Sequence, residues 1–244
     1  MDALREVTAR IERLDRVDAS ARFAFGTSSA LASVSGPIEA KLGVEAQSKA
    51  TLDILVRPLS GIPGITERLL VSNLRNVFTP AIILGAHPRT LIQVVIQNLS
   101  PPPPSSNFKN SLFETNPSTT AVMVNAASIA FLQASSLPLT GVIVAVAVGV
   151  SLHDGERVIL VDPEDSELET LVAGGVFAFL SAQPNAADPN DFSKAKVVWS
   201  FWDGTFRPAE VSQAEVLARA AGFKVLRTFY SVIFEGNSPS MELD

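Results

Sequence analysis

TNPSTTAVMVNAASIAFLQASSLPLTGVIVAVAVGVSL, residues 115–152, carries no charged side chain, and how this run is read decides the fold. Taken as one apolar block it invites a membrane span. Asn125, Gln133, Ser135, Ser136, Pro138 and Gly141 instead divide it into two pieces. The first, Thr120–Ala134, is rich in alanine and long enough for a helix, and Pro117-Ser118-Thr119 supply helix-start chemistry ahead of it. The second, GVIVAVAVGV at 141–150, is made of β-branched and small residues. At ~1.5 Å per residue a helix of that length falls well short of a bilayer core. A buried helix followed by a buried strand accounts for both lengths. No membrane association is expected.

The rest of the chain fits a packed core. It has 244 residues, 47% hydrophobic and 18% charged, with a formal net charge of −6. That apolar content excludes disorder as the main state. So few charges imply a surface of neutral groups or one covered by partners. There is no cysteine, which rules out disulfides and thiolate zinc sites. His87 and His153 alone offer imidazoles, so no metal or cofactor is expected. The acidic balance argues against a general grip on nucleic acid but leaves room for a local basic track. Mixed charges follow Met1 without an apolar leader core, so secretion is not expected.

Outward from the central run, Leu4, Val7, Ile11 and Leu14 at helical spacing predict a short amphipathic helix over Ala3–Leu14. Arg22–Phe25 and Ala30–Ser35 predict strands joined around Gly26-Thr27-Ser28. Further strands are expected at Ala50–Val56, Arg89–Leu99, Arg157–Val161, Gly174–Ser181 and Lys196–Phe201, with turns at Asp154-Gly155 and Asp203-Gly204. Helices are expected over Thr66–Phe78 and Ser212–Val232. The proline-rich stretch over 100–110 and Pro184–Pro189 read as surface loops. Three regions follow: an N-terminal segment over 1–15, one folded domain over 16–234, and a polar, disordered tail over 235–244. The class is α+β.

Candidate chemistry is sparse. The sequence lacks a phosphate loop, a dinucleotide fingerprint, a nucleophile elbow and a zinc-protease motif. Asp162, Glu164, Asp165, Glu167 and Glu169 read as a solvated acidic turn, with divalent-ion binding or general acid catalysis as the alternative. The helix start at Ser118 points free N–H groups outward and suits a phosphate, against ordinary capping by Ser118 or Thr119.

Several stretches together resemble the RNase PH family, on the side of its eukaryotic RNA exosome ring subunits. They are RVDASARFAFGTSSALASVSGP (16–37), KATLDILVRPL (49–59), HPRTLIQVVIQ (87–97), NAASIAFLQASSLPLTGVIVAVAVG (125–149) and VDP (161–163). The resemblance implies two βαβα-type halves packed as one domain, a fold of the ribosomal protein S5 domain 2-like kind. It implies a hexameric ring with other RNase PH-like subunits, S1/KH cap proteins above it, and a channel for single-stranded RNA. It also implies work in rRNA maturation and RNA turnover in nucleus, nucleolus and cytoplasm.

Active members of that family cleave RNA from its 3′ end with inorganic phosphate. Their Gly-Gly-Thr-Arg phosphate motif falls here on Asn116-Pro117-Ser118-Thr119, keeping a hydroxyl at Ser118 and replacing the arginine with Thr119. A second family arginine falls on Ser72, three residues before Arg75, and the family's acidic pair falls on Ile159 and Asp165. By this placement two arginines and one acid are lost. Loss of a single transition-state donor costs ~100-fold or more in rate, so a non-catalytic subunit is expected, the alternative being an active phosphate-dependent 3′–5′ exoribonuclease. Arg57, Arg75 and Arg89 are the candidates for RNA contact, with Lys109 behind them.

Overall fold

In a computed structural model the described residues are 4–100, 116–153, 156–164, 167, 170–182, 192 and 194–235. The chain forms β1 (Val7–Ile11), β2 (Ala19–Phe25), β3 (Ser28–Glu39), β4 (Thr51–Arg57), α1 (Ile65–Phe78), β5 (Thr90–Asn98), α2 (Pro117–Gln133), β6 (Val142–His153), β7 (Glu156–Val161), β8 (Leu171–Ser181), β9 (Lys196–Gly204) and α3 (Pro208–Glu235). The first sheet has the order β1-β2-β3-β5-β4 and the second β7-β6-β8-β9. Among the described strands only β4 and β5 pair in parallel, with α1 as their crossover.

Helix α2 lies between the sheets, against β2, β3 and β5 on one side and β6 and β8 on the other. That position explains its composition. A helix touched from both sides has no solvent stripe and is apolar all round, and its residues from Thr120 to Phe131 are all buried. Helix α1 instead buries one stripe, Leu70, Leu74, Val77 and Phe78, and Phe78 meets Phe131 of α2 at 5.0 Å between ring centroids. Helix α3 buries Ala214, Ala218, Ala221, Val225, Leu226 and Phe229, and Phe229 sets its edge against Phe23 of β2 at 5.8 Å. One core therefore joins both sheets and the three described helices.

Most expected elements appear within a few residues of their predicted ends. The Ala3–Leu14 helix does not: Val7–Ile11 is a strand, paired antiparallel with β2 from Val7↔Phe25 to Ile11↔Ala21. Val7, Ala9 and Ile11 also alternate, and the open edge of β2 supplies a ladder that a short isolated helix lacks. The turn expected at Asp203-Gly204 is the end of β9, Gly204 having a positive φ of 94°. Helix α3 starts at Pro208, ahead of Ser212, because the Glu210 carboxylate accepts the Arg207 backbone N–H at 2.8 Å. The turn at Asp154-Gly155, the loops over 101–110 and 184–189, Lys109 and the tail over 236–244 lie outside the described residues. No described helix is long and apolar enough to cross a membrane.

The second sheet contains a polar device that positions α2. Strand β7 covers β6 only from Val148 onward. Beyond it, the Asp162 backbone N–H donates to the Ala147 carbonyl at 2.9 Å. Two residues further along, the buried Asn125 side chain takes over: its Nδ2 donates to the Ala145 carbonyl and its Oδ1 accepts the Ala145 N–H, each at 2.8 Å. A carboxamide thus stands in for a strand where the ladder runs out, as buried backbone groups require.

Candidate functional site

The start of α2 is built from Asn116, Pro117 and Ser118. Asn116 is the N-cap, its side chain accepting the Ser118 N–H at 2.9 Å, and Pro117 occupies the first helical turn. The cap is therefore Asn116 rather than Ser118 or Thr119. Pro117 packs closely on β8: a Cβ at Gly174 would lie 2.9 Å from its Cγ. Ser118 is fully buried. Its hydroxyl donates to Asp162 Oδ1 at 3.1 Å and lies 3.3 Å from the Pro163 carbonyl oxygen.

Asp162 is not part of a solvated turn. Its side chain has no exposed area, and its φ of +53° turns the chain away from β7 as that strand ends. Arg5 reaches across from the segment before β1 and donates through Nε to Oδ2 at 2.8 Å and through Nη2 to Oδ1 at 2.6 Å. This is a bidentate guanidinium–carboxylate pair, and the Arg5 side chain is only 9% exposed. Of the other acids in that segment, Glu164 is exposed and its N–H donates to Glu167 Oε2 at 2.9 Å. Asp165 and Glu169 lie outside the described residues.

The arrangement has a chemical consequence. A hydroxyl, a helix start and a guanidinium are what a free phosphate would recruit. Here the hydroxyl and the guanidinium converge on the chain's own carboxylate. Sequence reading missed this because Arg5 and Asp162 are 157 residues apart; the VDP tripeptide marked the place but not the partner. Ile159 lies on β7, half-buried and packed against the core. Ser72 and Arg75 lie on exposed positions of α1.

The three arginine candidates do not converge. Arg57 ends β4 and faces solvent beside Pro58, Leu59, Arg68 and Gln97, which line one open groove with it. Arg75 sits toward the other end of β4, in a cleft shared with Lys41, Lys49 and Asp53. Arg89 belongs to that same end, since it precedes β5 and its N–H donates to the Ala46 carbonyl at 3.2 Å. Its Nε lies 3.4 Å from Glu45 Oε1, with 69% of its side chain exposed. Among the described residues no group of three His, Asp or Glu side chains is placed to hold a metal.

Comparison with known proteins places this geometry. Residues 3–136 match RNase PH, the 3′ exoribonuclease family, domain 1. The chain belongs to the RNase PH family. A Schizosaccharomyces pombe protein named exosome complex component rrp46 is 34% identical over 125 residues, which is 51% of this chain and 50% of that protein. The Saccharomyces cerevisiae protein named exosome complex component RRP46 is 32% identical over 163 residues, 67% of this chain and 69% of that one. The chain thus spans about half of the first relative's length and a little over two thirds of the second's. The crystal structure of rice (Oryza sativa) Rrp46 superposes with a TM-score of 0.76 at 22% identity, covering 95% of this chain and 96% of that one. At that identity the match carries the RNase PH fold and nothing finer.

Proposed function

We propose that this RNase PH family chain is a non-catalytic subunit of an RNA exosome ring. It would assemble with other RNase PH-like subunits into a hexameric ring under S1/KH cap proteins. That ring would form the channel for single-stranded RNA in 3′–5′ processing and turnover, in nucleus, nucleolus and cytoplasm. Two relatives carry the printed name of exosome complex component, which supports the assembly. The observation that carries the non-catalytic part is the buried Arg5–Asp162–Ser118 cluster. The Ser118 hydroxyl, the residue left at the family's phosphate motif, is spent on Asp162. The Arg5 guanidinium is spent on the same carboxylate. An orthophosphate entering there would find both donors already engaged by the chain's own carboxylate.

Two experiments test the parts separately. A tagged chain expressed in cells should recover several related ring subunits in equal amounts; recovery of the chain alone removes the assembly reading. The purified chain, given a tailed RNA, phosphate and magnesium, should release no nucleoside diphosphate. Multiple-turnover release that is abolished by Asp165→Asn would establish the active exoribonuclease instead.

A further inference from the structure

We propose that the outer face of the five-stranded sheet is a binding track for the phosphodiester backbone of single-stranded RNA, formed by Arg10, Arg22 and Arg57, with Gln97, whose carboxamide donates to the Pro58 and Asn98 carbonyls, as a neutral spacer between them. The register places these residues on one line. Arg10 opposes Arg22, Arg22 opposes Leu31, Leu31 opposes Gln97 and Gln97 opposes Arg57. At ~4.8 Å between strands the row runs ~19 Å across the sheet. The three arginines are exposed, and among the described residues they form no ion pair. Arg68 extends the row from α1, sharing the open groove with Arg57 and Gln97.

Two features point to a multivalent anion. Arg10 and Arg22 are direct cross-strand partners; like charges at that spacing destabilise a sheet, and such a local conflict marks a functional surface. Among the described residues the three helices pack on the opposite side, where the core lies, and the arginine positions on this face stay exposed. The choice of RNA over an acidic protein surface rests on shape. The three arginines lie in register across the sheet, the outward neighbours Ser33 and Ser35 are small and neutral, and the outward acid of β4, Asp53, lies four residues along the strand from Arg57. A row of cations with no aromatic platform tracks a backbone without reading bases.

The proposal draws its ligand from the ring-subunit reading but is tested apart from it. The probe is a fluorescein-labelled oligouridine of ~20 nucleotides, titrated with the full chain at several salt concentrations and followed by anisotropy. Removing two phosphate contacts with R10Q/R22Q should flatten the slope of log K against log salt by about 1.4, which is roughly 25-fold in affinity at 0.1 M salt. R227Q, on the exposed side of α3, should leave both unchanged. A thermal melt confirms folding, and R22Q alone should melt no lower than the parent. The proposal is overturned if the parent does not bind the probe, if R10Q/R22Q binds with unchanged slope, or if R10Q/R22Q keeps RNA and instead loses a co-purifying protein. Recovery of ring subunits by the tagged parent is read independently, so a failed track and a failed ring assignment give different results.

Discussion

The two sheets bury their strands differently. In the five-stranded sheet burial alternates along β3 and β4: along β3 from Ser28 every second residue is buried and the residues between are half-exposed, out to Pro37, while β2 opens only at Arg22. In the four-stranded sheet β6 is buried at ten successive positions, Val142–Ser151. A period of two means one covered face and one open face. An unbroken apolar run means both faces are covered. The open face of the first sheet is therefore free to carry arginines. Strand β6 has no open position over that run, so polar groups beside it must find partners inside the protein. Asn125 of α2 and Asp162 just past β7 are those groups, and both serve to fix α2 against β6.

The comparison is most exposed to failure at Asp162. If its carboxylate is a structural partner, Asp162→Ala takes the bidentate carboxylate away from the Arg5 guanidinium, whose side chain is 9% exposed. Breaking one side of a buried pair costs about 3–5 kcal/mol, measured as a lower urea midpoint with an unchanged slope. Arg5→Met combined with Asp162→Leu should recover a large part of that loss, because no lone charge then remains. A double variant as unstable as the single one would show that the pair contributes little and that shape alone holds the end of β7.

Asn125→Leu comes next. It strands the N–H and C=O of Ala145 in the core, at about 1–3 kcal/mol for each buried group left unpaired. The effect should localise: amide exchange should quicken on the first half of β6 and leave β3 unchanged. Uniform acceleration across both sheets would mean that the two halves unfold only together.

How far the sequence was legible follows the same division. Where one face is open, period and turn residues suffice, so β2 to β5 and α1 were readable to within a few residues. GVIVAVAVGV could be recognised as buried, but its partners on either face could not, since continuous burial erases the period that tells the faces apart. β1 was misread because Val7 and Ile11 suit a helix as well as a strand until the edge of β2 is known. The polar contacts were harder still. The Arg5–Asp162 pair and the row from Arg10 to Arg57 exist only once strand register is fixed, and register depends on long-range pairing that local pattern does not encode.

At the start of α3 the expected effect is smaller and depends on pH. Burial pushes the Glu210 carboxyl up, but the Arg207 N–H, the hydrogen bond from Arg157 and the charges of Arg157 and Arg207 outweigh it and hold the group below its usual value of 4.5. A carboxylate with a depressed folded pKa adds stability above its unfolded pKa and loses it as pH falls through the folded one. Melting temperature should therefore decline more steeply below about pH 4.5 in the parent than in Glu210→Gln. Parallel curves would remove Glu210 from the acid response.

The smallest effect, at Leu55, is also the sharpest test of the two-faced sheet when set beside its neighbour Ile54. Ile54 and Leu55 are neighbours in β4, of similar volume and hydrophobicity, yet one is 2% exposed and the other 40%. Ile54→Ala should cost about 2–5 kcal/mol through lost burial and the cavity it leaves. Leu55→Ser should stay within about 0.5 kcal/mol in the isolated chain, since nothing in the described structure packs over it. The second value turns informative in the assembly. If the outer face carries only a mobile RNA backbone, Leu55→Ser leaves recovery of ring subunits unchanged. Should a neighbouring protein cover that face, the same substitution removes apolar area from the contact and recovery falls while the isolated chain remains as stable as before.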